Sequence, residues 1–215
     1  MGSFHRIDEE KWPRAKIAEF FGTFEEPRFS MTSPLEVTKL YRYCEIHNIS
    51  FYYSMVYLAM KEINSIPEFH YKIRKDGVFY YDNLVPSFTD LKKGSTSFYI
   101  CEIPLKEKEG LIEYASRAKE FSDNSKGFIN KASEDISDEE CVFISCVPWM
   151  DITSTVEARK FDRNDSTPHM CLGRYLEENG KLTLHFEIQA NHRLVDGLHI
   201  GNFMVCLQKS IDELK

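Results

Sequence analysis

The sequence lacks three features, and each absence argues against a class of function. Its six cysteines form no Cys-x-x-Cys pair, so we predict no thiolate metal site and no redox dithiol, and we expect most cysteines to be buried apolar residues. Long apolar runs are also missing, so no segment predicts a membrane span. Basic residues are not in excess, since 27 Lys and Arg stand against 34 Asp and Glu, a net charge of −7. This charge argues against nucleic acid or an anionic membrane as the main partner.

The composition predicts one globular domain. Hydrophobic residues make up 42% and aromatic residues 13% of the 215 positions, which is too rich for a disordered chain. The composition does not shift along the chain and no linker interrupts it, so we predict a single domain over residues 1–215. The first five residues lack the apolar core of a secretion signal, and we therefore expect a cytoplasmic protein.

Hydrophobic periodicity predicts a mixture of helices and strands. Helical spacing covers residues 7–21, 35–44, 52–63 and 111–121, while the polar stretch 122–140 is typical of a mobile or variable loop. Asp-Gly at 76–77 predicts a hairpin turn between extended flanks. Strands and helices do not alternate regularly, so we predict an α/β fold, a two-layer sandwich of mixed β-sheet and helices.

The last strand and helix enclose the most informative segment. Apolar residues alternate with polar ones from Leu182 to Ala190, which predicts a strand with one buried face, and His192 continues the buried phase. Beyond Gly197, apolar residues recur with the spacing of an amphipathic helix. The strand is therefore expected to deliver His192 inward, into a tight loop before the final helix.

That loop, residues 191–197, contains the motif His-x-x-x-Asp-Gly. A neutral imidazole can take a proton from a hydroxyl near pH 7 and return it to a thiolate leaving group. The carboxylate of Asp196 can hold the loop through a buried ion pair with an arginine, and Gly197 permits a backbone conformation closed to other residues. The motif alone is also compatible with a core histidine and a helix N-cap.

Several short segments, spread over nearly the whole chain, accompany this motif. They are Trp12-Pro-Arg14, Phe29-Ser-Met-Thr32, Pro67-Glu-Phe, Asp76-Gly77, Val147-Pro-Trp149, Thr153-Ser154, Gly173-Arg-Tyr175 and Asn191 to Gly197 followed by Leu198-His-Ile. In order and spacing they resemble the chloramphenicol acetyltransferase family. The resemblance implies a fold for CoA-dependent acyl transfer and a homotrimer with its active sites at subunit interfaces, where acetyl-CoA and a small alcohol enter from opposite sides.

The resemblance also implies roles for individual residues. His192 would be the general base, its tautomer set by its own backbone carbonyl, and Ser154 would donate a hydrogen bond to the oxyanion. Arg14 would pair with Asp196 as structural support. The acceptor pocket would be lined by Phe21, Phe29 and Phe98. Tyr175 and Cys171 would lie near the coenzyme, and His199 would lie close to the site.

Three departures from the family pattern leave the acceptor open. Asn191 stands where the family has a second histidine, Phe21 stands where a tyrosine is common, and Cys171 replaces a threonine. Acetyl transfer is therefore expected more firmly than chloramphenicol as the acceptor. The motif also resembles that of dihydrolipoyl acyltransferase cores, and a catalytically silent trimeric scaffold is a third interpretation.

Overall fold

The computed structural model describes residues 3–92 and 94–215. It contains a large mixed β-sheet, a small antiparallel sheet and five α-helices within those residues. In chain order the elements are β1 (Phe4–Arg6), α1 (Ala15–Phe21), β2 (Arg28–Glu36), α2 (Thr38–His47), α3 (Phe51–Ile63), β3 (Tyr71–Arg74), β4 (Gly77–Tyr81), β5 (Val85–Asp90), β6 (Tyr99–Glu102), α4 (Leu111–Asn124), β7 (Ile129–Lys131), β8 (Cys141–Val147), β9 (His169–Gly173), β10 (Leu176–Glu178), β11 (Lys181–Asn191) and α5 (Gly197–Asp212).

The long strand β11 organises the large sheet. It pairs along one edge with β2 and along the other with β10 and β9, in each case antiparallel. The sheet then continues through β8, β5, β6 and β7, where the β9–β8, β8–β5 and β6–β7 pairs are parallel. The predicted mixed α/β architecture is therefore confirmed. Helices α2, α3 and α5 pack on this sheet and on each other around an extensive apolar core.

Two tight turns follow from short local sequence signals. Strands β3 and β4 form the hairpin predicted from Asp76-Gly77, and Gly77 has a φ of 136°, which a residue with a side chain rarely adopts. Strands β10 and β11 are joined by Asn179 and Gly180, with φ values of 53° and 76°. Positive φ at both central positions is what a tight hairpin turn requires, so these turns set the register of their strands.

Helix boundaries in the first half of the chain were predicted less well. Helix α1 begins at Ala15, not after Asp8, because residues 8–14 form turns instead, in which the N–H of Lys11 donates to the carbonyl of Asp8 and that of Ala15 donates to the carbonyl of Trp12. The predicted helix over 35–44 is displaced to α2, and Leu35 belongs to the long strand β2. Two apolar side chains of α1 are open to solvent, Ile17 at 38% and Phe20 at 59% exposure. Helix α1 therefore presents apolar surface outward.

The polar stretch 122–140 is not simply a loop. It contains the end of α4 and strand β7, which pairs with β6. Asn130 stabilises the turn before β7 by accepting hydrogen bonds from the backbone of Lys126 and Gly127. Local side-chain to backbone bonds of this kind are invisible to hydrophobic periodicity, which explains the difference from the prediction.

The end of β11 is buried on both faces, where the sequence predicted only one. Glu187, Gln189 and Asn191 are as buried as the apolar residues between them. The segment 151–167 covers this second face: the Gln189 side-chain amide donates to the carbonyl of Thr155, and that of Asn191 donates to the carbonyls of Arg163 and Asp165. Among the residues described, no helix has the length and apolarity needed to cross a membrane.

Candidate active site

His192 lies immediately after β11, with its ring held between two phenylalanines. Its backbone N–H donates to the carbonyl of Pro27 at 2.8 Å. The imidazole stacks on Phe21, with ring centroids 3.9 Å apart and planes 10° apart, and it contacts Phe29 at 4.3 Å. Two of the three aromatic residues predicted for the acceptor pocket thus surround the predicted base, and they restrict the orientation of its ring.

One ring nitrogen of His192 is sealed. Nδ1 is buried and has no hydrogen-bond partner within the described residues. The hydrogen bond from the ring to the residue's own carbonyl, implied by the family resemblance, is therefore not formed. That carbonyl instead accepts a hydrogen bond from Nη2 of Arg14 at 3.4 Å. Because Nδ1 is enclosed, Nε2 is the nitrogen left to exchange a proton with a substrate.

Arg14 and Asp196 form the ion pair that the resemblance implies. Nη1 of Arg14 lies 2.8 Å from Oδ2 of Asp196, and the arginine is only 8% exposed. Asp196 is also the N-cap of α5, where Oδ1 accepts from the backbone of Leu198, and its own N–H donates to Nδ1 of His199. The pair joins the start of α1 to the start of α5 and brackets the loop that carries His192.

The pKa of Asp196 reflects these contacts. Burial by itself raises the pKa of the carboxyl, but the hydrogen bond from Arg14 and the nearby charges outweigh burial, so the net shift is downward. A carboxyl whose pKa is lower in the folded protein than in the unfolded chain stabilises the fold at neutral pH. That contribution is present above the unfolded pKa and is lost as the pH falls through the folded value.

Asp196→Asn is expected to lower stability and activity together. The amide keeps the size of the side chain but leaves the buried guanidinium without its counter-charge, at a cost of about 1.5–3 kcal/mol for a hydrogen bond to a charged group. Thermal unfolding and acetyl-transfer rate measured on the same preparations test this. Full stability with lost turnover would contradict the structural role and require a direct chemical one.

Asn191 and Gly197 are the other two residues predicted to support the site, and Gly197 acts differently from the expectation. Gly197 is the first residue of α5 and does not have a positive φ, so the predicted special backbone conformation is wrong. A Cβ at this position would lie 3.0 Å from Cε of Met31, which indicates a need for space rather than for conformational freedom. Asn191 ties the loop to the segment over the second face of the sheet and accepts a hydrogen bond from the backbone of Arg193.

A large cavity lies elsewhere on the sheet, and we call it the aromatic cavity. Its volume is about 1070 Å³. It contains Tyr175, which the resemblance places near the coenzyme, and Phe98, the third predicted acceptor-pocket residue. Two of its other aromatic residues are not marked as site residues by the sequence: Tyr52, which helical spacing predicts as core, and Trp149, which is 66% exposed.

A second cavity of about 660 Å³, the polar cavity, adjoins the first. The two share Thr89, Phe98 and Ser145, so these residues lie at their boundary. Glu157 and His169 line the polar cavity. No motif marked either residue, because Glu157 lies in an irregular segment and His169, 12 positions later, begins β9, so the two meet only through folding. His192 lines neither cavity.

The remaining candidate residues lie outside both cavities. Ser154 is exposed in the segment that follows β8. Cys171 is buried on β9, directly beside Ser145 of β8 and Glu187 of β11. His199, besides accepting from Asp196, places Nε2 3.5 Å from Oε1 of Glu68. A single chain therefore groups His192 with Phe21, Phe29, Arg14 and Asp196, and separates this group from the cavities that contain Phe98 and Tyr175.

Comparison with known proteins agrees with the fold and motif. The profile of the chloramphenicol acetyltransferase family matches residues 2–208. Chloramphenicol acetyltransferase 3 of Escherichia coli is 24% identical over 210 positions, covering 96% of each protein. The chloramphenicol acetyltransferase of Bacillus pumilus is 28% identical over 215 positions, covering 97% of this chain and 94% of the relative.

Solved structures show the same fold. A chloramphenicol acetyltransferase superposes with a TM-score of 0.83 at 22% identity, covering 99% of this chain and 100% of that one. The cubic core of a pyruvate dehydrogenase complex superposes with a TM-score of 0.67 at 12% identity, covering 91% and 86%. Such identities establish the fold alone, whereas the family profile spans nearly the whole chain. The protein is an acyltransferase that belongs to the chloramphenicol acetyltransferase family.

Proposed function

We propose that the protein is an acetyl-CoA-dependent O-acetyltransferase, with His192 as general base and chloramphenicol or a similar small alcohol as acceptor. The observation that carries the proposal is the way in which the side chain of His192 is held. Its ring is clamped between Phe21 and Phe29, and Nδ1 is sealed from solvent. Such a ring is fixed in one orientation with a single nitrogen available, which suits a base that must meet a hydroxyl in a defined geometry.

The proposed reaction needs no covalent enzyme intermediate. Nε2 of His192 removes the proton of the acceptor hydroxyl as its oxygen attacks the carbonyl carbon of the acetyl thioester. A tetrahedral intermediate forms, and Ser154 is proposed to donate a hydrogen bond to its oxyanion. When the C–S bond breaks, the imidazolium returns the proton to the departing CoA thiolate. The products are the acetyl ester and free CoA, and the histidine ends neutral.

We assign the two cavities to the two substrates. The aromatic cavity, with Tyr52, Trp149 and Tyr175, has the apolar lining and volume expected for the extended arm of a coenzyme. The polar cavity adjoins it at Phe98, which would place an acceptor beside the thioester. Cys171 pairs with Ser145, which lines both cavities, and we propose that Cys171 lies next to the reaction centre. A cytoplasmic location would give this site access to acetyl-CoA.

We further propose that a second copy of the chain completes each site, in a homotrimer. His192 lines neither cavity, so the base must reach a substrate from the opposite side. Apolar side chains are exposed on two surfaces of the chain. Phe20 and Phe24 lie on or just after α1, and Trp149, Val156 and Phe161 lie along the segment after β8. Large exposed apolar patches of this kind mark protein interfaces. Closed rotational symmetry would pair the His192 surface of one copy with the cavity surface of the next.

The direct test is the release of free thiol from acetyl-CoA in the presence of chloramphenicol and of a panel of simple alcohols. Acceptor-dependent thiol release together with an ester product is the expected result. A parallel assay with dihydrolipoamide as acceptor tests the nearest alternative function. Acetyl transfer to that dithiol in preference to every alcohol would favour a dihydrolipoyl-type enzyme. Absence of transfer to every acceptor would favour a silent scaffold and contradict the proposal.

A further inference from the structure

Glu68 and His199 meet beside the loop that carries His192. Glu68 lies in the 3₁₀ helix Pro67–His70, and His199 lies in the first turn of α5. Nε2 of His199 is 3.5 Å from Oε1 of Glu68, and 13% of the histidine side chain is exposed. Neither residue lines the aromatic or the polar cavity. The contact joins two distant parts of the chain next to the reaction site and has no role in the proposed chemistry.

His199 binds the last backbone donor of the loop. The backbone N–H groups of residues 192–195 donate to the carbonyl of Pro27 or to Asn191. The N–H of Asp196 donates instead to Nδ1 of His199 at 3.0 Å. His199 is the third residue of α5, so its ring forms a capping box with Asp196, the N-cap. The loop is therefore held at its start by Asn191 and at its end by His199.

This hydrogen bond determines which ring nitrogen of His199 carries the proton. A nitrogen that accepts a hydrogen bond is unprotonated, so the proton of the neutral ring lies on Nε2. Nε2 is the nitrogen that faces the carboxylate of Glu68. The carboxylate attracts an N–H group and disfavours the other tautomer, whose lone pair would face it. Glu68 therefore keeps Nδ1 available as the acceptor for the backbone of Asp196.

Asp196 is held through its backbone and through both carboxylate oxygens. Arg14 binds Oδ2 at 2.8 Å, and the N–H of Leu198 donates to Oδ1 at 3.0 Å. Nδ1 of His199 lies 3.0 Å from Oδ1 as well as from the backbone nitrogen. Because Arg14 also donates to the carbonyl of His192, a shift of Asp196 is passed on to the residue that carries the base.

The 3₁₀ helix gives Glu68 a fixed position. The next residue, Phe69, is completely buried, and its ring centroid lies 6.3 Å from that of Phe203 in α5. His70, which follows, is 2% exposed. The helix that carries Glu68 is thus packed against the helix that carries His199. Two elements in mutual contact can hold their side chains in a constant geometry, which a positioning role requires.

We propose that His199 and Glu68 are positioning residues for the general base. His199 holds the backbone of Asp196, and Glu68 orients the ring of His199. Neither side chain touches a substrate. The pair fixes the end of the loop and thereby the geometry in which His192 meets the acceptor hydroxyl. This inference rests on the proposed role of His192 and adds two residues on which the reaction depends.

Two substitutions of His199 test the proposal. His199→Leu removes both ring nitrogens and is expected to lower kcat by about 10–100-fold, because a displacement of a catalytic group by about 1 Å can cost that much. The KM for acetyl-CoA should stay at the wild-type value, since His199 lines neither cavity. His199→Gln is expected to restore most of kcat, because glutamine is a usual capping-box residue that can accept from Asp196 and donate to Glu68.

A matched control separates positioning from helix stability. Glu113 is the third residue of α4, accepts from the N–H of Gly110 at 2.7 Å, and lines neither cavity. Glu113→Leu therefore removes the same kind of capping bond from another helix. This variant should lower the unfolding temperature as His199→Leu does, but keep the wild-type kcat. An equal loss of kcat in both variants would show that stability alone is responsible and would overturn the inference.

A double-mutant cycle tests the role of Glu68. Glu68→Leu is expected to lower kcat by itself but to add little in the His199→Leu background, because the two residues act through one contact. Fully additive losses would reject a coupled pair. Glu68→Leu also serves where His199→Leu is poorly folded, since the same loss of kcat at constant KM is expected from it.

Hydrogen exchange of the Asp196 amide, followed by NMR, gives a readout that does not need turnover. Exchange should be faster in His199→Leu than in the wild type and should be slow again in His199→Gln. Unchanged exchange, or a wild-type kcat, in a folded His199→Leu variant would overturn the inference while acetyl transfer stands. If the wild type acetylates no acceptor, the proposed function fails, and exchange alone then decides whether His199 holds the loop.

Discussion

Replacement of His192 by phenylalanine is expected to lower the rate of acetyl transfer by about 10²–10⁴-fold, the usual contribution of a positioned general base. Phenylalanine is the informative choice because the imidazole stacks on Phe21 and contacts Phe29. A phenyl ring preserves this three-ring cluster while removing both nitrogens. Nδ1 has no partner to lose, so the free energy of unfolding should change by no more than about 1.5 kcal/mol.

Measurement of thiol release and thermal unfolding on His192→Phe and on His192→Ala separates chemistry from packing. Both variants should be inactive, whereas only alanine opens a cavity between the two phenylalanines and is expected to destabilise the fold. His185→Phe serves as control, since His185 pairs with Asp151 at 2.7 Å and lines neither cavity. If His192→Phe retained near-normal turnover, this ring would be ordinary packing and the proposed mechanism would be wrong.

Co-expression of two inactive variants is expected to restore activity if the site is shared between copies. His192→Ala removes the base. Phe98→Arg places a charged side chain at the boundary of both cavities, at a position that is 52% exposed and therefore tolerant of a longer residue. Each homo-oligomer should be nearly inactive. In randomly mixed trimers, half of the base surfaces and half of the cavity surfaces are intact, so about a quarter of the sites combine both.

The readout is thiol release from the co-purified mixed oligomer, compared with the two variants expressed separately and then combined without exchange of subunits. Recovery of about a quarter of wild-type activity only after co-expression supports a site shared between copies. If each chain held a complete site, every chain in the mixture would carry a lesion and no activity would return. Size-exclusion chromatography with light scattering would independently report whether the particle is a trimer.

Much of the second half of the fold could be predicted because its signals are local. Alternation from Leu182 to Ala190 and a helical period after Gly197 identify β11 and α5. The turn at 179–180 follows from the tolerance of Asn and Gly for positive φ. The helix before residue 21 was predicted too long because residues 8–14 form turns, in which Trp12 is buried against Tyr71, a contact between distant segments that no local period can reveal.

The candidate site, like the fold, has a part that the sequence predicts and a part that only folding decides. By itself, the sequence determined the motif from His192 to Gly197 and, through its resemblance to a family, a partner for Asp196, because side-chain chemistry and short spacings are carried by the chain itself. Only the tertiary structure decided that the ring of His192 is clamped and sealed on one nitrogen, and that Glu157 and His169 share a cavity. It also showed that this cavity excludes His192. These facts depend on which surfaces folding brings together, and nearness in space between residues far apart in sequence leaves no local pattern to read.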